Sequence, residues 1–430
     1  MQESRRLALP DVGPRYTHYL FRYPAKFHPP VVRSLLDKFT NPGDLVLDNF
    51  CGSGTSLVES AVTKRRSVGV DIDPVAVLVS QAKTRRYDAT QLQDDARTLL
   101  ATLSSVERTS DEYDTFVHDD IECDDLQSKI STEGLWVPKI PKLVHWFRNY
   151  VTLDLARIKA RIETAQYSQE SKLLFLLTFA SIIRNVSNAD PVPVSGLEVT
   201  AHMRRKDAAG RRINPFDHYR NALKKTLGAT ASFGDVVGAE FEPVVMHADA
   251  TKLPGELPGP VDAVIASPPY HNAVDYYRRH QLEMYWLDLV ADHAERLALL
   301  PKYIGRQRIP QKHAVLQEEW EPARFAEEWH SKISAASPQR ANDFRHYIVC
   351  MRKVFEQLAV NVRPGAPVVL VVGESTWQEQ QIPTDLLLAE AAEPHFKLTE
   401  QYWYPIKNRY MSYSRHNGAN IAQEHVLVLR

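Results

Sequence analysis

The chain has 430 residues, 44% of them hydrophobic and 24% charged, which is the composition of an ordinary globular protein with two or three domains. The 52 Lys and Arg residues are balanced by 53 Asp and Glu, so any contact with nucleic acid must come from local patches. Three cysteines without CxxC spacing indicate neither a disulfide framework nor a zinc site, and we predict no metal site.

The first half of the chain opens with a strand-turn-helix pattern. Residues 44–50 predict a short apolar strand, the sequence CGSG predicts a glycine turn, and the residues from Thr55 onward have helical spacing. Residues 67–73 predict a second strand, and Pro74 then opens another helix. Together these segments predict a βαβ unit.

A long segment without strand signals follows. Residues 111–125 hold eight acidic residues and no Lys or Arg, which predicts a solvated loop. Residues 136–184 have helical spacing, and the apolar run 173–183 is too short to span a bilayer, so we expect a buried helix. Residues 200–225 form the most basic stretch.

Strand signals resume at 241–250 and 261–270 and return at APVVLVVGES and AQEHVLVLR. We therefore predict an α/β fold of the Rossmann-like, doubly wound kind with a mostly parallel sheet, interrupted by a mainly helical insertion. The predicted parts are residues 1–89, which carry the first half of the α/β domain, the insertion at 90–238, and residues 239–430, which complete the sheet.

The glycine turn lies where a parallel sheet presents its ligand crevice. Gly52 and Gly54 let a ligand approach the backbone, although such turns also need glycine for purely structural reasons. Asp71 follows Gly52 by 19 residues, the place of an acid that binds ribose hydroxyl groups, and Asp73 either shares that role or caps the next helix. The absence of a third glycine favours an adenosine ligand without a pyrophosphate, such as S-adenosylmethionine.

A second candidate motif, SPPY, ends another apolar strand. Its two prolines stiffen the backbone beyond the sheet. Ser267 and the carbonyl group of Pro268 offer hydrogen-bond acceptors for an exocyclic amine, and Tyr270 offers an aromatic face to a base removed from the duplex. In isolation, these four residues are better explained by a structural proline turn without a catalytic role.

The combination DNFCGSGTS and SPPY resembles the cofactor and catalytic motifs of the amino-group DNA methyltransferases. The segment YPAKFHPP resembles the family's upstream motif, and HADATKLP its acid after the third strand. The resemblance implies a class I methyltransferase fold and S-adenosylmethionine as cofactor, with catalytic residues Ser267, Pro268, Pro269 and Tyr270. The cofactor residues that it implies are Lys26, Phe27, His28, Pro29, Asp48, Phe50, Cys51, Gly52, Ser53, Gly54, Thr55, Ser56, Asp71, Asp73 and Asp249.

Within this family, SPPY is more typical of enzymes that methylate N4 of cytosine, and DPPY or NPPY of those that methylate N6 of adenine. The resemblance implies base flipping and direct transfer to N4 of cytosine, with N6 of adenine as the alternative. Asn49 and Ser56 depart from the usual pattern, in which proline and threonine are common. Methylation at C5 of cytosine is disfavoured because no cysteine follows a proline.

Basic and aromatic residues outside these motifs are candidates for contacts with double-stranded DNA. They occur in the insertion, just after SPPY, in the sequence KYIGRQRIPQKH, which predicts a mobile surface loop, and near the C-terminus. The candidates are Arg204, Arg205, Lys206, Arg211, Arg212, Tyr276, Tyr277, Arg278, Arg279, Arg306, Arg308, Lys407, Arg409 and Arg415. The insertion is the candidate recognition region, and a buttress for the sheet or a dimerisation module is its alternative.

Other functions share this fold. Methylation of RNA or of a small amine, and nucleic-acid binding without catalysis, remain alternatives. We expect a cytoplasmic prokaryotic protein without a membrane segment, with a cognate restriction endonuclease as a possible functional partner. The oligomeric state cannot be inferred from the sequence.

Overall fold

The computed structural model describes residues 4–191, 197–255, 257–271, 276–306, 308–378, 380–406 and 422–430. Its strands form one large sheet and a small hairpin. They are β1 (Arg5–Arg6), β2 (Leu45–Asp48), β3 (Arg66–Asp71), β4 (Val244–His247), β5 (Ala263–Ala266), β6 (Val368–Gly373), the hairpin β7 (Ser375–Trp377) and β8 (Gln380–Ile382), β9 (Leu398–Pro405) and β10 (Gln423–Leu429).

Helices precede, connect and follow these strands. The first three are α1 (Pro29–Phe39), α2 (Thr55–Val62) and α3 (Pro74–Thr84). Between β3 and β4 come α4 (Ala89–Ser104), α5 (Ser110–Thr115), α6 (Cys123–Glu133), α7 (Leu143–Trp146), α8 (Asn149–Thr164), α9 (Gln169–Val186), α10 (Ala201–Ala208) and α11 (Pro215–Gly234). After β5 come α12 (Tyr276–Arg279), α13 (Gln281–Trp286), α14 (His293–Leu299), α15 (Arg324–Ala336), α16 (Pro338–Asn361) and α17 (Thr384–Ala392).

The strand order of the large sheet is β1-β9-β10-β6-β5-β2-β3-β4, and every pair is parallel except the two that β10 makes with β6 and β9. The chain runs outward from β2 through β3 to β4, then returns to the other side of β2 to form β5 and β6. The order therefore reverses between β2 and β5, and such a switch point is where open α/β sheets bind ligands, beyond the carboxyl ends of the strands.

Helices cover both faces of the sheet, because each central strand buries alternate side chains on opposite sides. In β5, Val264 packs with the cluster that contains α16 and α17, whereas Ile265 packs with the cluster that contains α1. The predicted α/β fold with a mostly parallel sheet is confirmed, and the predicted strands lie at their expected places.

The insertion between β3 and β4 is helical over its described residues and shares one apolar core with α3 and α13. The apolar run of α9 lies in this core, as predicted, through residues such as Phe175 and Phe179. None of the helices in the described ranges is long and apolar enough to cross a membrane.

Two expectations about irregular structure were wrong. The acidic residues 111–125 do not form a solvated loop throughout, because α5 and the start of α6 lie there and Asp120 accepts hydrogen bonds from the backbone of Asn149 and Tyr150. Strand β9 was not predicted, since its sequence, LTEQYWYP, mixes polar and aromatic residues without a continuous apolar run.

Candidate active site

The glycine turn joins the carboxyl end of β2 to α2 and depends on left-handed backbone conformations. Gly52 has φ +48° and Gly54 has φ +71°. A Cβ atom on Gly54 would lie 2.9 Å from Oγ of Ser80, and one on Gly52 would lie 3.2 Å from the ring of Tyr23. Both positions therefore need glycine, for conformation and for space.

Two carboxyl groups, the buried Asp48 and the half-buried Asp71, hold this turn. Asp48 accepts hydrogen bonds from the backbone N–H of Phe50, at 3.0 Å, and from the hydroxyl of Ser56. Asp71, at the end of β3, accepts from the backbone N–H groups of Gly52, at 2.8 Å, and Asp73, at 2.9 Å. Each Asp71 oxygen retains a second lone pair, so ribose hydroxyl groups can still donate to it.

Burial sets the protonation of both acids. It raises the pKa of Asp48 to about 6, against the hydrogen bonds from Ser56 and Phe50 that lower it. Burial also raises the pKa of Asp71 to about 7, with the neighbouring charge of Asp73 as the second cause. Asp71 thus titrates close to neutral pH, which is typical of groups in functional clefts.

Asp73 has the second of its two expected roles. It is 1% exposed, caps α3 by accepting from the backbone N–H of Val75 at 2.9 Å, and contacts Nδ1 of His280 at 2.8 Å. Because the Asp73 side chain is buried, a ribose hydroxyl group cannot reach it in this structure, and the expectation that Asp73 shares the ribose contact is corrected to that of a helix cap.

Two side chains of α3 that the motifs did not indicate hold the glycine turn from its other side. Ser80 donates its hydroxyl hydrogen to the carbonyl oxygen of Gly52 at 2.7 Å, and the fully buried amino group of Lys83 donates to the carbonyl oxygen of Ser53. Burial lowers the pKa of Lys83 well below its usual range. The sequence does place this Ser and this Lys three residues apart, on one face of the predicted helix. No neighbouring residue indicates, however, that this face points toward the glycine turn.

The remaining residues of the turn are closely packed. Cys51 is buried, and its sulfur lies 3.8 Å from Oγ of Ser80. Thr55 and Ser56 are buried in the first turn of α2. Phe50 packs against the cluster that contains α16 and α17. Both polar atoms of the buried Asn49 side chain lack a hydrogen-bond partner among the described residues.

The upstream segment YPAKFHPP lies before and at the start of α1. Lys26 donates to the carbonyl oxygen of His18 at 3.0 Å, Phe27 packs on the α1 face of the sheet, His28 is the N-cap residue of α1, and Pro29 is its first residue. Burial lowers the pKa of Lys26 to about 8. The contact of this segment with the glycine turn is made by Tyr23, which the sequence interpretation missed.

Tyr23 belongs to an aromatic cluster beside the turn. Its ring is stacked on that of Tyr276, with centroids 5.6 Å apart, and lies 4.9 Å from that of His280. After burial, the charges of Asp71 and Asp73 are the largest causes that raise the pKa of Tyr23 and Tyr276. The structure thus places Tyr276, predicted as a DNA contact, beside the candidate cofactor site.

The SPPY motif follows β5, the strand adjacent to β2. Ser267 donates to the carbonyl oxygen of Val371 on β6 at 3.1 Å, and its own oxygen can still accept. Pro268 is buried, Pro269 is half-buried, and the hydroxyl of Tyr270 donates to Glu424 at 2.7 Å. The glycine turn and SPPY therefore lie at the carboxyl ends of neighbouring strands, on the two sides of the switch point.

Asp249 lies just beyond β4, at the same edge of the sheet. Its Oδ1 accepts from the backbone N–H of Thr251, at 2.8 Å, and from the hydroxyl of Thr251, at 2.7 Å. Oδ2 accepts no hydrogen bond from the residues that the structure describes, and the role of Asp249 at the adenine amino group stays a prediction.

The loop KYIGRQRIPQKH was expected to be a mobile surface loop, and this was wrong for its middle. Tyr303 is 7% exposed, Ile309 is fully buried, and the backbone N–H of Ile309 donates to Asp343 at 2.7 Å. Gly305 lies so close to SPPY that a Cβ atom on it would be 2.7 Å from the carbonyl oxygen of Tyr270. The loop is anchored against the catalytic motif.

The predicted DNA-binding residues divide into accessible and inaccessible groups. Arg204, Arg205 and Lys206 on α10, named here the α10 cations, are exposed and make no ion pair with the described residues. Arg211 is paired with Asp207, and Arg212 with Asp114, both at 2.7 Å.

Two residues after SPPY are corrected. Arg279 is 2% exposed and Tyr277 is 4% exposed, so neither can reach a phosphate group in this structure. Burial lowers the pKa of Arg279 to about 10, with Arg184 as the next cause. Arg278 and Arg308 are exposed and Arg306 is half-buried, whereas Lys407, Arg409 and Arg415 lie outside the described residues.

Metal-ligating clusters were sought over the described ranges as well. No group of three or more His, Cys, Asp or Glu side chains there is placed to hold a metal ion. Cys51 and Cys350 are buried and Cys123 is exposed, and all three are free thiols.

Comparisons with known proteins find similarity to DNA methyltransferases. The family model N6_N4_Mtase, described as DNA methylase, matches residues 5–82, which include the upstream segment, the glycine turn and Asp71. The type II methyltransferase M.MvaI of Kocuria varians is 23% identical over 395 residues, covering 87% of this chain and 80% of that protein. The chain is thus similar to the N6/N4 amino-methyltransferase family over its N-terminal segment, and its distant relatives are type II methyltransferases.

Two further relatives carry similar names. The type II methyltransferase M.BsoBI of Geobacillus stearothermophilus is 22% identical to this chain, and the matched region covers 87% of this chain and 77% of M.BsoBI. M.MjaII of Methanocaldococcus jannaschii is 28% identical over 39% of this chain and 28% of its own. The solved rRNA methyltransferase aviRa of Streptomyces viridochromogenes gives a TM-score of 0.31 at 10% identity over 97% of this chain and 90% of that one, which is too low to support an argument.

Proposed function

We propose that this protein transfers a methyl group from S-adenosylmethionine to the N4 amine of a cytosine flipped out of duplex DNA, by direct transfer. The observation that carries the proposal is the position of the glycine turn and SPPY at the ends of the adjacent strands β2 and β5, beside the switch point. A cofactor held by one motif and a base held by the other would meet there.

The residues of the first motif fit S-adenosylmethionine. Gly52 and Gly54 give the turn its left-handed conformation and let Tyr23 and Ser80 pack against it, and Asp71 has free lone pairs for ribose hydroxyl groups. Asp249 is proposed to bind the adenine amino group, and the segment Lys26–Pro29 to lie beside the methionine part. When bound, the cofactor would supply an electrophilic methyl group.

SPPY is proposed to hold the other reactant. The Ser267 oxygen and the Pro268 carbonyl oxygen accept hydrogen bonds from the exocyclic amine and direct its nitrogen toward the methyl group, and the ring of Tyr270 stacks on the base. Positioning of this kind, with water excluded, supplies on the order of 7–11 kcal/mol in favourable cases. N4 of cytosine is preferred because SPPY resembles the motif more typical of family members that methylate this position.

Duplex DNA is proposed to contact the α10 cations, with Arg278, Arg306 and Arg308 near the flipped base. The insertion is proposed as the region that reads the sequence. As with relatives named type II methyltransferases, a restriction endonuclease of matching specificity in a prokaryotic cytoplasm is the proposed functional partner.

The test is transfer itself. The protein is incubated with labelled S-adenosylmethionine and mixed-sequence duplex DNA, and the modified nucleosides are identified by mass spectrometry. N4-methylcytosine is expected. N6-methyladenine would overturn the choice of base, and transfer to RNA alone or to neither nucleic acid would overturn the proposal.

A matched pair of variants tests the site. Ser267→Ala is expected to abolish transfer while cofactor binding survives. Ser104, which also donates its hydroxyl hydrogen to a backbone carbonyl oxygen, at 3.0 Å, but is exposed on α4, provides the control Ser104→Ala with unchanged activity. Equal activity of the two variants would refute the role of Ser267.

A further inference from the structure

The start of β10 places a carboxylate beside the catalytic motif, far from it in sequence. Because β10 runs antiparallel to β6, its first residues lie at the edge where the parallel strands end. Glu424 pairs with Gly373 of β6 and with Tyr404 of β9. Ser267 donates to Val371, two residues before Gly373 on the same strand, so Glu424 and SPPY share this edge.

Both oxygens of this carboxylate accept hydrogen bonds from tyrosine hydroxyl groups. Tyr270 of SPPY donates to Oε1 at 2.7 Å, and Tyr404 donates to Oε2. Burial and the charge of Glu424 raise the pKa of both tyrosines well above their usual range, so both hydroxyl groups keep their protons and remain donors. Tyr404 thereby fixes the carboxylate that holds Tyr270.

The contact acts at the far end of the Tyr270 side chain. A hydrogen bond from the hydroxyl to a charged acceptor fixes the position of the ring tip and so opposes rotation of the side chain about χ1. The hydroxyl oxygen lies on the χ2 axis, so the contact restrains the ring plane less directly, through the in-plane preference of the phenolic O–H. The carbonyl oxygen of Tyr270 faces Gly305, so the backbone and the ring tip are both held. A stacking platform needs a fixed position, and this pair of contacts provides one.

We propose that Glu424 is a positioning residue for methyl transfer: it holds the ring of Tyr270 in the position that receives the flipped base. This role rests on the proposed function of SPPY. It extends the site to β10, since Glu424 lies 154 residues beyond Tyr270 in the sequence.

The variants Glu424→Ala, Tyr270→Phe and their double mutant test the proposal. Each single variant removes the same hydrogen bond while the ring stays, so each is expected to slow single-turnover transfer about tenfold or more, and the double mutant no further. Glu424→Gln keeps an acceptor and is expected to recover part of the rate. The cofactor dissociation constant should stay within about twofold, which a general structural defect would not allow.

Glu374 provides the matched control. It is a half-buried carboxylate just beyond β6 that contacts Nε2 of His425 at 3.2 Å and makes no contact with Tyr270. Glu374→Ala is expected to keep the wild-type rate. Additive losses in the double mutant, or full activity of Glu424→Ala, would overturn the proposal.

A second measurement does not depend on activity. The protein is labelled with 3-fluorotyrosine, and the fluorine signal of Tyr270 is assigned by its loss in Tyr270→Phe. Glu424→Ala is expected to shift this signal and Glu374→Ala to leave it in place; an unchanged signal in both would overturn the anchoring. A wild-type protein with the anchored signal but no methyl transfer to DNA would instead refute the function on which the role depends.

Discussion

Gly305 is the position at which one added methyl group should separate catalysis from stability. It has φ +77°, and a Cβ atom there would lie 2.7 Å from the carbonyl oxygen of Tyr270. Carbon and carbonyl oxygen normally approach to about 3.3 Å, so Gly305→Ala requires a shift of roughly 0.6 Å. The loop cannot easily take up all of it, because Ile309 is buried and hydrogen-bonded to Asp343.

The expected loss follows from that displacement. A 1 Å misplacement of a reacting group can cost about 100-fold in rate, so a shift of a few tenths of an ångström in SPPY predicts a roughly tenfold slower transfer. The left-handed backbone separately costs about 1–2 kcal/mol in the free energy of unfolding, because alanine carries a Cβ atom.

Gly365 provides the control that separates these effects. It has φ +80°, and a Cβ atom there would meet nothing within 4 Å. Gly365→Ala should therefore lose a similar free energy of unfolding, measured by denaturant titration, and keep the single-turnover rate of methyl transfer. Equal transfer rates for the two variants, or rate losses that match the loss in free energy of unfolding in both, would refute this account of Gly305.

Three further predictions concern the cofactor and the DNA. Replacing the α10 cations with alanine should weaken DNA binding and reduce the magnitude of the slope of log K against log salt by about 0.9 for each lost phosphate contact. Arg212→Ala should change the slope less, because this guanidinium is paired with Asp114. Equal slopes for the two variants, in titrations at several salt concentrations, would contradict the assignment of the α10 cations. Because burial raises the pKa of Asp71 to about 7, its deprotonation should tighten cofactor binding as the pH rises from about 6 to 8. Calorimetry should show that Asp71→Asn no longer has this increase in affinity. The same pH dependence in Asp71→Asn and the wild-type protein would refute the prediction. Lys83→Met leaves the Ser53 carbonyl oxygen without its donor, at a cost of about 1–3 kcal/mol, and should raise the cofactor dissociation constant several-fold, while the exposed Lys225→Met leaves it unchanged.

The parts of the site that the sequence predicted are those with local signals. The glycine turn, SPPY and Asp71 each follow directly on an apolar strand, and the carboxyl ends of parallel strands meet at one edge of a sheet. The meeting of these motifs at one edge could therefore be anticipated from alternating strands and helices, although the strand order could not.

The parts that were missed depend on contacts between distant segments. Lys83 reaches Ser53 across 30 residues, and Tyr270 reaches Glu424 across 154. Glu424 faces the site only because β10 is inserted antiparallel between β6 and β9 in one register, and a shift by one residue would turn it to the other face. No pattern in QEHVLVLR specifies that register.

Ion pairs within the insertion reduce the positive charge that its basic stretch presents to solvent. Arg212 pairs with Asp114, and Arg220 pairs with Glu107 at 2.6 Å, so acids of the α4–α5 region neutralise part of the stretch predicted to bind DNA. These paired cations contribute little positive potential toward solvent. The α10 cations lie in the same basic stretch but outside this pairing, and composition could not tell the two groups apart. The part of the insertion proposed to meet DNA is therefore narrower than the sequence indicated, and it is confined to cations that the fold leaves exposed and unpaired with described acids.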